Sequence, residues 1–122
     1  MKFKDCACRG KTLARLVRPA VLAVLAQEPA HGYKISDQLQ DMVSWEQGPD
    51  RSGVYRTLKT MQKERLVRSK VETSASGPMR REYHLTKRGK ACLATWVQTL
   101  NAYRNSIDGI LLMAQQRSTG EV

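Results

Sequence analysis

From Pro19 to Ala26 the chain reads Pro-Ala-Val-Leu-Ala-Val-Leu-Ala, with no polar side chain. A helix that is apolar all round has no solvent face, so this segment is expected at the centre of a core. Pro19 suits a first helical turn, where its missing N–H costs no hydrogen bond, and Gln27-Glu28-Pro29-Ala30 ends the run. Thr12 to Val17 reads either as a preceding turn or as an extension kinked at Pro19. A second helix opens at His31-Gly32, with Ile35, Leu39 and Met42 at the spacing of a core face. Ser44 to Pro49, which includes Trp45, Gly48 and Pro49, is a loop. The third helix is expected from Asp50 or Arg51 to Arg65. Val54, Leu58 and Met61 form its apolar stripe; Ser52, Tyr55, Arg56, Lys59 and Lys63 fall on the opposite side at about 100° per residue.

The period then changes. Leu66 to Thr73 alternates with period two, as does Arg81 to Leu85, and Ser74-Ala75-Ser76-Gly77-Pro78 between them is rich in turn residues. This predicts a β-hairpin with Gly77, Pro78, Arg80 and Arg81 at or near its tip. Thr86 is a good N-cap for a last, long helix. Along it, Leu93, Trp96, Leu100, Tyr103, Ile107, Ile110 and Ala114 are spaced alternately by three and four, the seam of a coiled coil. With Val97 and Leu111 beside it, the apolar face is too wide for a solvated helix, and a second chain is the expected cover. Ser118 to Val122 reads as a frayed tail.

At 122 residues, 41% hydrophobic and 26% charged, the chain has the composition of one soluble domain with a modest core. No apolar run approaches the roughly 20 residues of a membrane span. The N-terminal Met1-Lys2-Phe3-Lys4-Asp5-Cys6 lacks the apolar centre of a signal peptide. Three cysteines are an odd count, and Cys6 and Cys8 are too close for an unstrained bridge. A reducing, cytoplasmic setting is therefore expected, with no membrane partner.

The net charge of +10 is unevenly placed: residues 51–90 hold twelve basic and three acidic residues, whereas residues 19–50 hold one basic and five acidic. An excess loaded onto the third helix and the hairpin points to an anionic partner, nucleic acid above all. The alternatives are a structural protein that binds nucleic acid through charge alone, or a solvated basic face with no partner. The order helix, helix, helix, hairpin, long helix is that of a mainly α (α+β) fold, a winged helix-turn-helix domain with a C-terminal dimerisation helix. The expected divisions are a basic arm at 1–11, the winged domain at 12–85, the dimerisation helix at 86–117 and a tail at 118–122. An amphipathic helix with a basic outer face is a probe of the size the DNA major groove admits. A hairpin bearing arginines can reach phosphates or the neighbouring minor groove. Ser52, Tyr55, Arg56 and Lys59 are thus expected at the groove and Lys63 at the backbone. A homodimer joined through Leu93, Trp96, Leu100, Tyr103, Ile107 and Ile110 would read a pseudo-palindrome in double-stranded DNA.

Four blocks carry a family resemblance: His31-Gly32-Tyr33-Lys34-Ile35, Gly53-Val54-Tyr55-Arg56-Thr57-Leu58, Gly77-Pro78-Met79-Arg80-Arg81-Glu82-Tyr83 and Leu85-Thr86-Lys87-Arg88-Gly89. Each is weak alone; in this order, within a stretch from about Pro19 to Ala114, they resemble the PadR family of bacterial transcription regulators. The resemblance implies a homodimeric winged-helix repressor that binds an operator. It makes Tyr33 and Lys34 candidate phosphate contacts, Tyr55 a hallmark of the third helix, and Gly77, Pro78, Arg80 and Tyr83 the wing. One departure is Arg65, where the family often has glycine in the turn from helix to strand.

Cys6 and Cys8 lie outside the family pattern. Two thiols per chain would give four across a dimer, enough for a soft metal or an iron–sulfur unit. They would equally serve as a redox pair beside Lys4, Arg9 and Lys11, or stand as incidental thiols. No third ligand with the usual spacing follows, and His31 and His84 stand isolated in the sequence. Cys92 is expected as a small buried residue. Trp96 would either line a pocket for a small-molecule effector or belong to ordinary core. No Ser/His/Asp grouping, phosphate loop or His-Glu-x-x-His run supports an enzyme.

Overall fold

The computed structural model describes residues 15–42, 49–72, 77 and 80–120. The elements are α1 (Val17–Gln27), β1 (Ala30–His31), α2 (Gly32–Met42), α3 (Arg51–Lys63), β2 (Val67–Glu72), β3 (Arg80–Leu85) and α4 (Lys87–Gly120). The architecture is the expected one, a winged helix domain followed by a long C-terminal helix. The Cys6/Cys8 arm and Trp45 lie outside the described residues.

α1 is the hub that its all-apolar sequence predicts. Val17, Pro19, Ala20, Val21, Leu22, Val24 and Leu25 are all buried, and α2, α3, β3 and α4 pack around it. The helix begins two residues ahead of Pro19, with a short 3-10 turn at Arg15 and Leu16 before it. Pro19 therefore still sits within the first turn, where no intrahelical N–H is needed. α2 adds Ile35 and Leu39, and α3 adds Val54, Leu58 and Met61, each with no exposed surface. Burial of side chains this size contributes about 1.5–3 kcal/mol apiece, which holds α3 at a fixed rotation about its axis. Met42 departs from the expected core face. It is the last residue of α2 and half exposed, past the point where α1 and α3 cover the helix.

Asp50 caps α3 by accepting a hydrogen bond from the Gly53 N–H at 2.7 Å. At the other end the helix stops at Lys63, short of Arg65. Leu66 N–H donates to the Met61 carbonyl at 2.9 Å and Arg65 N–H to that of Gln62 at 3.0 Å. These are the paired bonds of a Schellman cap, which needs a left-handed residue between helix and strand. Arg65 supplies it at φ 63°, the position where glycine would have no steric cost.

β2 and β3 form the expected hairpin, with Val67 opposite Leu85 and Glu72 opposite Arg80. The sheet has a third strand that the sequence pattern did not predict. β1 pairs with the outer edge of β3, Ala30 opposite Tyr83 and His31 opposite Glu82, giving the order β1-β3-β2. Two residues are too few to display a period. Val67, Tyr83 and Ala30 point into the core, so the alternate residues Arg80, Glu82 and His84 face outward.

Thr86 joins the hairpin to α4. Its hydroxyl accepts from Gly89 N–H at 3.0 Å, as an N-cap should, and faces the carbonyl oxygens of Arg65 at 2.7 Å and Leu66 at 3.0 Å. A Cβ on Gly89 would stand 2.1 Å from the Leu66 carbonyl oxygen, so glycine there sets how closely α4 starts against the sheet. α4 runs to Gly120, three residues beyond the expected 117, since Arg117-Ser118-Thr119 contains no helix breaker. Its proposed seam divides in two. Leu93 and Trp96 pack against the domain's own core beside Cys92, which is half-buried. Leu100 is also half-buried, whereas Tyr103, Ile107 and Ile110 are exposed.

Candidate nucleic-acid interface

With Val54, Leu58 and Met61 locked inward, the helical repeat turns Ser52, Tyr55, Arg56, Lys59 and Lys63 outward, and all five are exposed. Among the described residues, none of Arg56, Lys59 and Lys63 forms an ion pair; Arg51 pairs with Asp37 at 2.9 Å and Arg18 with Glu64. Arg51, at the start of α3, ties the helix to α2, and Glu64, just past its end, ties it to Arg18 of α1.

Tyr55 is placed by a glycine. A Cβ at Gly32 would fall 2.2 Å from Tyr55 Cε1, so the ring lies directly against the first residue of α2. Beside it, Tyr33 stacks on His31 with ring centroids 5.9 Å apart and planes 9° from parallel. The Arg80 guanidinium lies 5.7 Å from the centre of the Tyr33 ring, within cation–π range. The start of α2, the middle of α3 and the loop end of the hairpin thereby meet at one point. Lys34 extends this surface but leans on Glu28, with 3.3 Å between Nζ and Oε1.

Arg81 points the other way. Its Nη1 donates to Ser69 Oγ at 3.0 Å, and Ser69 donates to Gln62 Oε1 at 3.1 Å, a chain linking β3, β2 and α3. A groove of about 560 Å³ runs between helix and wing, lined by Tyr55, Lys59, Gln62, Lys63, Arg81 and Tyr83. Burial pushes the Tyr83 phenol above its ordinary pKa, against a smaller opposing pull from Arg81 and with a small push from Tyr55. Gly77 lies on an exposed bend between the strands.

The predicted residues Tyr33, Tyr55, Arg80 and Arg81 are thus brought together, with Lys59 and Lys63 along the same groove and Ser52 and Arg56 on the same helix. Trp96 is held against the core; a separate groove nearby is lined by Leu93, Ala94 and Val97 of α4 together with Leu25 and His84. The histidines, which look isolated in sequence, are not so in space. His31 Nε2 is 3.1 Å from Glu72 Oε2, and His84 Nε2 is 2.7 Å from Glu82 Oε1. The β1–β3 pairing that joins them has no sequence signature, although the period of β3 alone would have put Glu82 and His84 on one face.

A three-helix core, a two-stranded wing and a basic helix set between them define a winged helix-turn-helix domain. Residues 21–95 match the model of the transcriptional regulator PadR-like family, and the chain belongs to that family. Solved structures agree. A Thermoplasma acidophilum protein assigned as a transcriptional regulator superposes with a TM-score of 0.73 at 29% identity, covering 83% of this chain and 95% of that one. A PadR-like transcriptional regulator from Bacillus cereus gives 0.72 at 25% identity, covering 84% and 97%. The PadR protein of Bacillus subtilis, solved in complex with operator DNA, shares the fold at 0.61 and 23% identity, over 68% of this chain and 46% of that one. A comparison with curated proteins finds no match.

Proposed function

We propose that the protein is a sequence-specific transcriptional regulator that binds double-stranded DNA as a homodimer and acts as a repressor at a pseudo-palindromic operator. The observation that carries this reading is the ridge of exposed Arg56, Lys59 and Lys63, which form no ion pair among the described residues, on a helix whose other face is fully buried. A cationic rod held at a fixed rotation can present the same side chains to successive base edges. Ser52, Tyr55, Arg56 and Lys59 take the major groove and Lys63 the phosphates. Tyr33 and Lys34 contact the backbone from the start of α2, and Gly77, Arg80 and Arg81 carry the wing to the flanking groove. The operator complex of the Bacillus subtilis relative supports the choice of DNA as partner.

The second half of the proposal concerns α4. Val97, Tyr103, Ile107, Ile110 and Leu111 expose between 48% and 68% of their surface along one helix, far more apolar area than a lone helix leaves to water. A second copy of α4 is the natural cover, since matching seams on identical chains give a closed twofold pair. The family and fold are those of regulators rather than enzymes.

The test is a gel shift at moderate salt, using the DNA upstream of the protein's own gene against an unrelated duplex of equal length. Tighter binding to the upstream fragment is expected. Equal affinity for both would reduce the protein to a charge-driven nucleic-acid binder.

A further inference from the structure

Outside the basic ridge, the outer face of the sheet gathers a different chemistry. Residues 66–85 contain only two acidic side chains, Glu72 and Glu82, and the whole chain has only two histidines. All four converge on this one face of the sheet, on three different strands. One ligand atom from each of His31, Glu72 and Glu82 lies within 4.8 Å of the other two. His31 and Glu82 are mostly shielded from solvent, whereas Glu72 is about half exposed.

We infer that His31, Glu72 and Glu82 form a binding site for a divalent transition-metal ion of the zinc class. The donor set is one imidazole and two carboxylates, which suits borderline cations and leaves a fourth position for water. Zinc bonds of about 2.0–2.2 Å set neighbouring ligand atoms of a tetrahedron about 3.3 Å apart. His31 Nε2 and Glu72 Oε2 already stand 3.1 Å from each other, so closing the site requires movement chiefly of the Glu82 carboxylate. The second layer is in place as well. His84 Nε2 lies 2.7 Å from Glu82 Oε1, the kind of outer contact that orients a ligating carboxylate.

The ion would fasten β1 to both strands of the wing. His31 also stacks on Tyr33, which lies beneath Arg80, so a bound ion would steady two of the residues assigned to DNA. This coupling rests on the proposed DNA-binding function; the metal site itself does not.

The experiment is titration of the full chain carrying Cys6→Ser/Cys8→Ser, with Zn²⁺ by equilibrium dialysis and with Co²⁺ by absorption. One ion per chain is expected, with a Co²⁺ spectrum free of thiolate bands. Glu72→Gln, on an exposed side chain, should weaken Zn²⁺ binding at least tenfold while metal-free melting is unchanged. His84→Gln should weaken it about 10- to 100-fold. No Zn²⁺ uptake by the folded parent, or equal uptake by Glu72→Gln, overturns the site and leaves only His–Glu hydrogen bonds. Zn²⁺ should also tighten DNA binding by the parent and not by Glu72→Gln. Zn²⁺ uptake without that change overturns the coupling alone. Failure to bind any DNA would fall on the proposed function and leave the metal stoichiometry standing.

Discussion

The Cβ that Gly32 lacks would stand 2.2 Å from Cε1 of Tyr55. The first residue of α2 is therefore also the floor under the tyrosine of α3. Gly32→Ala should displace the Tyr55 ring rather than unfold the domain, because that ring is a half-exposed side chain able to swing away. A stability loss of about 1–3 kcal/mol is expected from the overpacking, with weakened DNA binding. In the double variant Gly32→Ala/Tyr55→Ala stability should return while affinity does not. Denaturant melts beside binding isotherms for the four members of the cycle check this.

Arg65 offers a gain. Its φ of 63° carries a left-handed penalty of about 1–2 kcal/mol, partly offset by the extra freedom glycine has in the unfolded chain. Arg65→Gly should raise stability by about 0.5–1 kcal/mol, measured by urea unfolding. Unchanged or lower stability would mean that the Arg65 side chain holds the cap in some other way.

Arg56 and Arg80 should differ in kind. Arg56→Ala is expected to relax base preference at one position of each half-site, at about 1–3 kcal/mol if the contact is bidentate. Arg80→Ala should weaken binding to all duplexes alike and lower the salt slope by about one. Isotherms against matched and mismatched duplexes at several salt concentrations separate the two patterns.

The Tyr83 phenol is raised by burial, so the folded state holds its proton to higher pH than the unfolded chain does. That contribution is complete below the ordinary tyrosine value of 10.0 and is lost as pH rises from there through the folded value. Stability should fall more steeply above pH 10 in the parent than in Tyr83→Phe, as read from urea midpoints across that range.

The helices were legible because each long element repeats its apolar residues at helical spacing, and Val54, Leu58 and Met61 state the rotation of α3 directly. The exposed ridge follows from the same three residues. What escaped the pattern is short or long-range. β1 is two residues without a period, and its pairing alone unites His31 with Glu82. Arg65 hides a left-handed turn under a side chain that does not advertise one. In α4 a single uninterrupted spacing covers two environments. Leu93 and Trp96 meet the domain's own core, whereas Tyr103, Ile107 and Ile110 project past its end, and only the length of the rest of the fold decides where one becomes the other.

Selection of tight binders from random duplex DNA, by the purified full chain, tests the central claim most directly. Two identical subunits reading through α3 should enrich an inverted repeat, with half-sites separated by about one helical turn or a multiple of it. Ile107→Glu, which sets a charge in the exposed stripe of α4, should enrich no such repeat. A pool without any preferred sequence, or one built on a single unrepeated half-site, would contradict the account.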